Sequence, residues 1–269
     1  MSNAILAWSL AFTISILVLI LSDCSSTKTT FQTEAAAQKQ GNTTTVVTNN
    51  NIIAKTNTTN NLIDEGIALL IVGKYNEAIS LFDRVLAVEP NNTLALTNKG
   101  ATLAFLEKYN EAISLFDKAL ATEPNNTSAL DGKGSVLASL QKYNEAISLF
   151  DRVLAINPND AKTMTHKGKA LDDLGLHQEA IQYYDKALDI EPKDVIALQD
   201  KGSTLDILGK HNQAIVYYDK ALAIDPRNAD TLTNKAVALA ALQKYNEAIK
   251  YYDKALAIHP TLQAAIDAK

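Results

Sequence analysis

Apolar and polar positions repeat every 34 residues along most of the chain. The decamer KYNEAISLFD begins at Lys74, Lys108 and Lys142, and a fourth copy, KYNEAIKYYD, begins at Lys244. The same spacing holds for every proline in the protein, namely Pro90, Pro124, Pro158, Pro192, Pro226 and Pro260. A fixed period of this length is typical of a solenoid, in which each repeat packs on its neighbours.

Within each period, the apolar positions predict two helices. In the third repeat, Leu130, Gly134 and Leu137 follow one another at offsets of four and three, which places them on one helical face. A second helix carries Ala146 and, four residues later, Phe150. Small residues let the two backbones approach, and aromatic side chains fill the space between helix pairs. Proline then ends the second helix, and an Asn or Asp two residues later is placed to cap the next one.

The pattern of conserved columns resembles the tetratricopeptide repeat over residues 59–262. In order, the columns hold a large apolar residue, Gly, Leu, an aromatic residue, Ala, an aromatic residue, Ala and Pro. The large column holds Leu or Met where the family often has Trp. The resemblance implies an all-α fold, a right-handed superhelical solenoid of antiparallel helix pairs, whose concave groove binds peptides or partner helices. It implies no chemistry. The six predicted repeats are 59–92, 93–126, 127–160, 161–194, 195–228 and 229–262.

In this family, the groove is lined by positions of each first helix that the repeat signature leaves free. Here those positions differ between almost all repeats, whereas the packing positions hardly vary. Such a contrast is expected where side chains read an irregular ligand, although relaxed drift on an unused face gives the same pattern. Asn98 and Asn234 match the family's groove asparagine that bonds a ligand's backbone, while no repeat has the Lys and Asn pair of the chaperone clamp. The predicted partner-binding residues are Asn98, Asp131, His166, Lys169, Gln199, Asp200 and Asn234.

An uncharged apolar run at residues 4–21 predicts a signal or membrane-anchor segment over residues 1–24. The chain's single cysteine, Cys24, ends the sequence LSDC, which resembles a lipoprotein signal except that Asp23 replaces a small residue. A retained anchor, a cleaved signal and lipidation at Cys24 are all compatible with this segment. A single cysteine forms no internal disulfide and therefore does not fix the compartment.

Residues 25–58 are rich in Ser, Thr and Asn and predict a disordered linker. Residues 263–269 predict a short C-terminal cap on the last helix. With the apolar run as the membrane tether, we expect the repeats to lie outside the cell membrane. Lys28 and Lys39, downstream of the run, favour the alternative of cytoplasmic repeats.

Charge and motif content argue against several function classes. The net charge of −5 and the lack of a basic patch disfavour nucleic-acid binding. The sequence has no Gly-rich phosphate loop, HExxH, GxSxG or CxxC motif, so we expect no enzymatic activity, no cofactor and no small-molecule substrate. His177 and His211 occupy one column of adjacent repeats, but both replace a packing tyrosine, so a metal site is not predicted.

An aspartate column on the second helices predicts a solvated, charge-balanced outer wall, because each aspartate is followed by Lys or Arg. Its members are Asp83, Asp117, Asp151, Asp185, Asp219 and Asp253. The residues before this column differ between the halves of the array, since repeats one to three share LFD and repeats four to six share YYDKAL. This difference indicates a three-plus-three history or two differently specialised halves.

Two function hypotheses follow from the sequence. The first is a membrane-tethered, non-enzymatic scaffold that binds a protein or peptide partner in the groove. The second is a non-catalytic accessory subunit of a membrane enzyme or export complex that uses the apolar ends of the solenoid, such as the first helix LIDEGIALLIV. Deletion of that helix separates the two, because it spares a groove binder and abolishes end-on assembly.

Overall fold

The computed structural model describes residues 58–260, and all regular structure in that range is helical. The predicted anchor at residues 4–21, the candidate lipidation site Cys24, most of the predicted linker and the predicted cap at residues 263–269 lie outside the described residues. No helix between residues 58 and 260 combines the length and the apolar character needed to cross a membrane.

Six helix pairs follow one another, one pair for each predicted repeat. The first helix, α1, is described over residues 58–71. The other first helices of the repeats are α3 (Thr93–Phe105), α5 (Thr127–Ser139), α7 (Ala161–Asp173), α9 (Val195–Ile207) and α11 (Ala229–Ala241). The second helices are α2 (Tyr75–Val88), α4 (Tyr109–Thr122), α6 (Tyr143–Ile156), α8 (His177–Ile190), α10 (His211–Ile224) and α12 (Tyr245–Ile258).

The described helices belong to two compact units, one ending at Lys142 and the other beginning at Tyr143. Within the first unit, α2 to α5 pack on one another in chain order, and the first helices α3 and α5 also touch. Within the second unit, α6 to α12 pack in chain order, and α9 contacts both α7 and α11. Each unit therefore shows the neighbour-on-neighbour packing of a solenoid, and the predicted all-α fold is confirmed.

The predicted N-terminal caps are confirmed. Asn92 accepts a hydrogen bond from the backbone N–H of Ala95 at 2.9 Å, and Asp160 accepts one from the N–H of Thr163 at 2.8 Å. Corresponding bonds begin α5, α9 and α11. Each bond satisfies an N–H group that the helix itself leaves unpaired, which fixes where the first helices start.

The aromatic column was predicted to fill the space between helix pairs, but its rings also pack within each pair, which explains the glycine column. Tyr184 and Tyr218 are almost fully buried. A Cβ atom added at Gly168 would lie 2.7 Å from Cε1 of Tyr184, and one added at Gly202 would lie 2.6 Å from Cε1 of Tyr218. Both distances are far below van der Waals contact, so glycine lets the first helix approach the ring of its own repeat.

The aspartate column is more than a solvated wall, because five of its six members pair with a lysine of the next first helix. Lys99 Nζ lies 2.5 Å from Oδ1 of Asp83, and Lys133 Nζ lies 2.5 Å from Oδ1 of Asp117. In each pair the lysine lies sixteen positions after the aspartate. The same pairing in the second unit joins Lys167 to Asp151, Lys201 to Asp185 and Lys235 to Asp219.

Tyrosine hydroxyls complete these pairs in the second unit. The Lys167 ammonium donates to the hydroxyl of Tyr183 at 2.7 Å, and Lys201 and Lys235 make the equivalent bonds. Burial disfavours the charge of Lys167, but Asp151 and Tyr183 outweigh it and raise the pKa of the ammonium group. The change from LFD to YYD along the sequence therefore supplies a second acceptor for each buried lysine.

Candidate partner-binding face

The predicted groove residues of the first unit are buried. The side chains of Asn98 and Asp131 are 6% and 4% exposed. Nδ2 of Asn98 donates to the backbone carbonyl of Leu94 at 2.8 Å, within its own helix. The neighbouring groove positions Ala101 and Ala104 are also buried. In this unit the predicted groove column therefore contributes mainly to packing, and the amide of Asn98 serves its own helix.

The second unit presents a more exposed polar surface on the first helices α7, α9 and α11, which we call the polar face. Two hydrogen bonds connect its helices. Thr165 Oγ1 donates to Asp194 Oδ2 at 3.2 Å, and Thr231 Oγ1 donates to Gln199 Oε1 at 2.8 Å. The polar face consists of His166, Lys169, Asp172, Asp173, Gln199, Asp200, Asp206 and Asn234, of which Asp172 is buried and the others are partly or fully exposed.

Five of the seven predicted partner-binding residues lie on this face. The ring of His166 packs 5.8 Å from the ring of Phe150, with the two planes tilted by 49°. Gln199 is held by Thr231 from the next first helix, and Asn234 is partly exposed on α11. The remaining two residues, Lys169 and Asp200, belong to one electrostatic cluster.

Lys169 and Asp200 interact across α7 and α9. Lys169 Nζ lies 3.3 Å from Oδ1 of Asp173. Burial disfavours its charge, but the carboxylates of Asp200, Asp173 and Asp172 outweigh burial and raise the pKa of Lys169. Burial raises the pKa of Asp200 to about 6, and the nearby carboxylates of Asp172 and Asp173 add to this while Lys169 opposes it. The cluster thus contains more carboxylates than the single lysine balances.

Two histidines beside the cluster are each paired with an aspartate of their own repeat. Nδ1 of His177 lies 2.7 Å from Oδ1 of Asp172, and Nδ1 of His211 lies 2.5 Å from Oδ1 of Asp206. In the other four repeats a tyrosine stands at the histidine position, and leucine or alanine stands at the aspartate position. Histidine and aspartate therefore replace the usual residues together in the same two repeats, and this joint replacement is the sequence signal that could have identified the His–Asp contact. Among residues 58–260, no three His, Cys, Asp or Glu side chains are grouped so that they could hold a metal ion.

The Tyr184 hydroxyl is a buried polar group of α8. The Tyr184 side chain is 0% exposed, and its hydroxyl contacts the Thr204 hydroxyl of α9. The Thr204 hydroxyl donates to the backbone carbonyl of Asp200 at 3.0 Å. Burial, followed by the carboxylates of Asp200 and Asp172, raises the pKa of the Tyr184 hydroxyl well above its usual value. The ring of Tyr184 packs against Gly168 of α7.

Family comparisons decide the identity of the repeats. Models of the tetratricopeptide repeat (TPR) match residues 69–134, 196–228 and 229–262. The chain belongs to the tetratricopeptide repeat family. A model of subunit 3 of the anaphase-promoting complex, or cyclosome, matches residues 105–187 of this TPR protein. A comparison with curated proteins gave no match.

Solved structures confirm the fold of this TPR protein. PilW, a widely conserved type IV pilus biogenesis factor, has a TM-score of 0.71 and 20% identity, over 78% of this chain and 97% of PilW. The Cut9–Hcn1 structure from the APC/C has a TM-score of 0.74 and 19% identity, over 83% of this chain and 44% of the other. YrrB, a TPR protein with an unusual peptide-binding site, has a TM-score of 0.52 and 24% identity, over 70% of this chain and 96% of YrrB.

Proposed function

We propose that this TPR protein is a non-enzymatic scaffold that binds a peptide or a helix of a partner protein on the polar face. The observation that carries the proposal is the contrast between the units. The groove positions of α3 and α5 are buried, whereas most of those on α7, α9 and α11 are partly exposed and include charged and amide groups. Exposed polar groups that differ from repeat to repeat suit the recognition of an irregular segment.

A helix or an extended segment can supply the matching groups. Gln199 and Asn234 offer amide donors and acceptors to a ligand's backbone, and Lys169 and Asp200 offer charges to its side chains. Val237, which is 43% exposed, adds an apolar contact on α11. The similarity to YrrB, which has a peptide-binding site, supports a peptide ligand as the class to test.

The tether and the compartment complete the proposal. The apolar run at residues 4–21, followed by Cys24, supports attachment to a membrane, with the repeats on the extracytoplasmic side. Cytoplasmic repeats are the alternative, favoured by Lys28 and Lys39.

A second candidate function is that of an accessory or assembly subunit that uses an apolar end. At the end of α1, Ile71 is 40% exposed and Val72 is 67% exposed. Exposed apolar side chains at a terminal repeat favour contact with another protein. PilW, which shares this fold, is a type IV pilus biogenesis factor.

Selection from a displayed peptide library tests the first function. The full chain, held in detergent or nanodiscs, is expected to enrich peptides whose binding weakens about tenfold when Lys169→Glu reverses a charge on the polar face. Lys118→Glu is the control, because it makes the same charge reversal at an exposed position of α4, and it is expected to leave binding unchanged. Equal effects of the two substitutions, or a larger effect of the control, would place binding elsewhere.

A further inference from the structure

We infer that the first unit carries N-linked glycans at Asn91 and Asn125, in the turns that lead from a second helix to the next first helix. Each of these asparagines begins the acceptor sequence Asn-X-Ser/Thr, because a threonine follows two positions later in both repeats. This acceptor sequence is used in secreted and extracytoplasmic proteins, so the inference rests on the proposed location of the repeats. It is carried by the exposure of the two side chains, by their place in the turns and by the hydrogen bonds around them.

Both asparagines occupy the third position of a four-residue turn that has proline at its second position. In one turn the N–H of Asn92 donates to the carbonyl of Glu89 at 3.0 Å, and in the other the N–H of Asn126 donates to the carbonyl of Glu123 at 3.0 Å. The side chain at the third position is exposed in both turns. The turns therefore present the two acceptor asparagines at the surface of the folded protein.

The amide nitrogen that receives the sugar is available at both positions. Among residues 58–260, neither acceptor amide forms a hydrogen bond. Asn126 begins an overlapping acceptor sequence with Ser128, but its amide is bonded at both ends. Its Oδ1 accepts from the N–H of Ala129 at 2.9 Å, and its Nδ2 donates to Glu123 at 2.9 Å. Asn126 therefore serves as a helix cap, and Asn125 is the acceptor.

The turn itself does not require the acceptor sequence. In the fourth and fifth repeats, Lys193 and Arg227 stand at the position of the two asparagines, and Val195 and Ala229 stand at the position of the threonines. Those turns close with the same backbone hydrogen bond, at 3.1 and 3.3 Å. Turn closure and helix capping thus explain neither the acceptor asparagines nor the threonines of the first unit, whereas glycosylation uses both.

The modification is a glycosyl transfer from a lipid-linked oligosaccharide diphosphate. The asparagine side-chain nitrogen forms a bond to the anomeric carbon of the first sugar, and the bond from that carbon to the diphosphate oxygen breaks. The amide loses one proton, and the lipid diphosphate is the leaving group, so no oxidant or reductant takes part. Thr93 and Thr127, whose hydroxyl groups complete the acceptor sequences, are partly exposed.

Glycopeptide mass spectrometry of the full chain, purified from the cells that make it, tests the inference. Peptides that contain Asn91 or Asn125 are expected to carry the mass of an oligosaccharide and to release sugar fragment ions. Asn159 is the matched internal control, because it is exposed in the same turn of the third repeat but is followed by Asp160 and Ala161. The peptide that contains Asn159 is expected to be unmodified.

Substitutions in the acceptor sequence separate glycosylation from effects on folding. Asn91→Gln and Thr93→Ala are each expected to abolish the glycan in the first of the two turns, whereas Thr93→Ser keeps a hydroxyl and should retain the glycan. Ala161→Thr completes an acceptor sequence at Asn159 and should add a glycan there. Equal modification of the Thr93→Ala and Thr93→Ser variants would contradict a role for the acceptor sequence.

The outcomes separate the inference from the proposed function. Unmodified Asn91 and Asn125 on repeats that external protease removes would overturn the inference and leave the extracytoplasmic location intact. The same result on repeats that are protected until lysis would overturn both. Glycans confined to the acceptor sequences at Asn42 and Asn57, which lie outside the described residues, would also overturn the inference. None of these results bears on peptide binding, which the displayed library measures by itself.

Discussion

Asp200 is expected to destabilise the fold at neutral pH. Its pKa is raised from the ordinary value of 3.8 to about 6, mainly by burial. A carboxyl group with a raised pKa holds its proton more tightly in the folded state, so its contribution to stability is fully present below pH 3.8 and is lost as the pH rises through 6. A pKa shift of about two units corresponds to a loss of at most about 3 kcal/mol in the free energy of unfolding.

Asp200→Asn tests this cost, because it keeps the shape of the side chain and removes its charge. The substitution also removes an attraction to Lys169, which retains Asp173 and Asp172. We therefore expect a net gain in the free energy of unfolding of about 1–2 kcal/mol at pH 7.5. At pH 4 the wild-type carboxyl is already protonated in the folded state, and the gain should shrink to about 0.5 kcal/mol or less.

Urea unfolding of the full chain, followed by circular dichroism at both pH values, measures the effect. Asp189→Asn, at an exposed position of α8, is the control and should change the free energy of unfolding by less than about 0.5 kcal/mol at either pH. A loss of stability for Asp200→Asn at pH 7.5, or an equal gain at both pH values, would contradict a crowded, partly buried carboxylate at this position.

Three other predictions concern packing, location and membrane attachment. Gly202→Leu should lower the free energy of unfolding by at least about 1–3 kcal/mol, because the added side chain meets the ring of Tyr218, and a neutral result in a urea titration would remove Gly202 from the helix contact. Protease treatment of intact cells should remove the repeats, with first cuts within residues 25–58, whereas full protection until lysis would place the repeats inside. Cys24→Ser should release the protein from membranes only if lipidation provides the anchor, as membrane fractionation will show.

The fold was predictable because each structural role occupies one column of the 34-residue period. Asn92 could be assigned as a helix cap from its position after Pro90, and the structure forms that bond. The sequence also predicted that a small residue at Gly168 lets the two helices approach closely, and the short distance from Gly168 to the ring of Tyr184 agrees with this. Such roles depend on local geometry and on the neighbouring helix of the same repeat. The 34-residue period shows which residues belong to the same repeat, so these roles can be assigned from the sequence.

The candidate site was predictable only as a set of positions. Whether a groove side chain is exposed depends on how closely the adjacent first helices pack, so the burial of Asn98 and the exposure of Lys169 did not follow from the sequence. The link from Lys167 to Asp151 joins different repeats, and it depends on which helices are neighbours in the folded chain. The environment of the Tyr184 hydroxyl is likewise a property of the packed structure rather than of any motif.

Site-specific photo-crosslinking in intact cells tests the central claim most directly, because it reports contact with a partner of any identity. A benzophenone side chain in place of Val237, 43% exposed beside the polar face on α11, is expected to form a covalent adduct with a partner protein. The same side chain in place of Val216, 51% exposed on the second helix α10, is the matched control and should give no such adduct. Adducts from Val216 and none from Val237 would contradict a partner-binding role for the polar face.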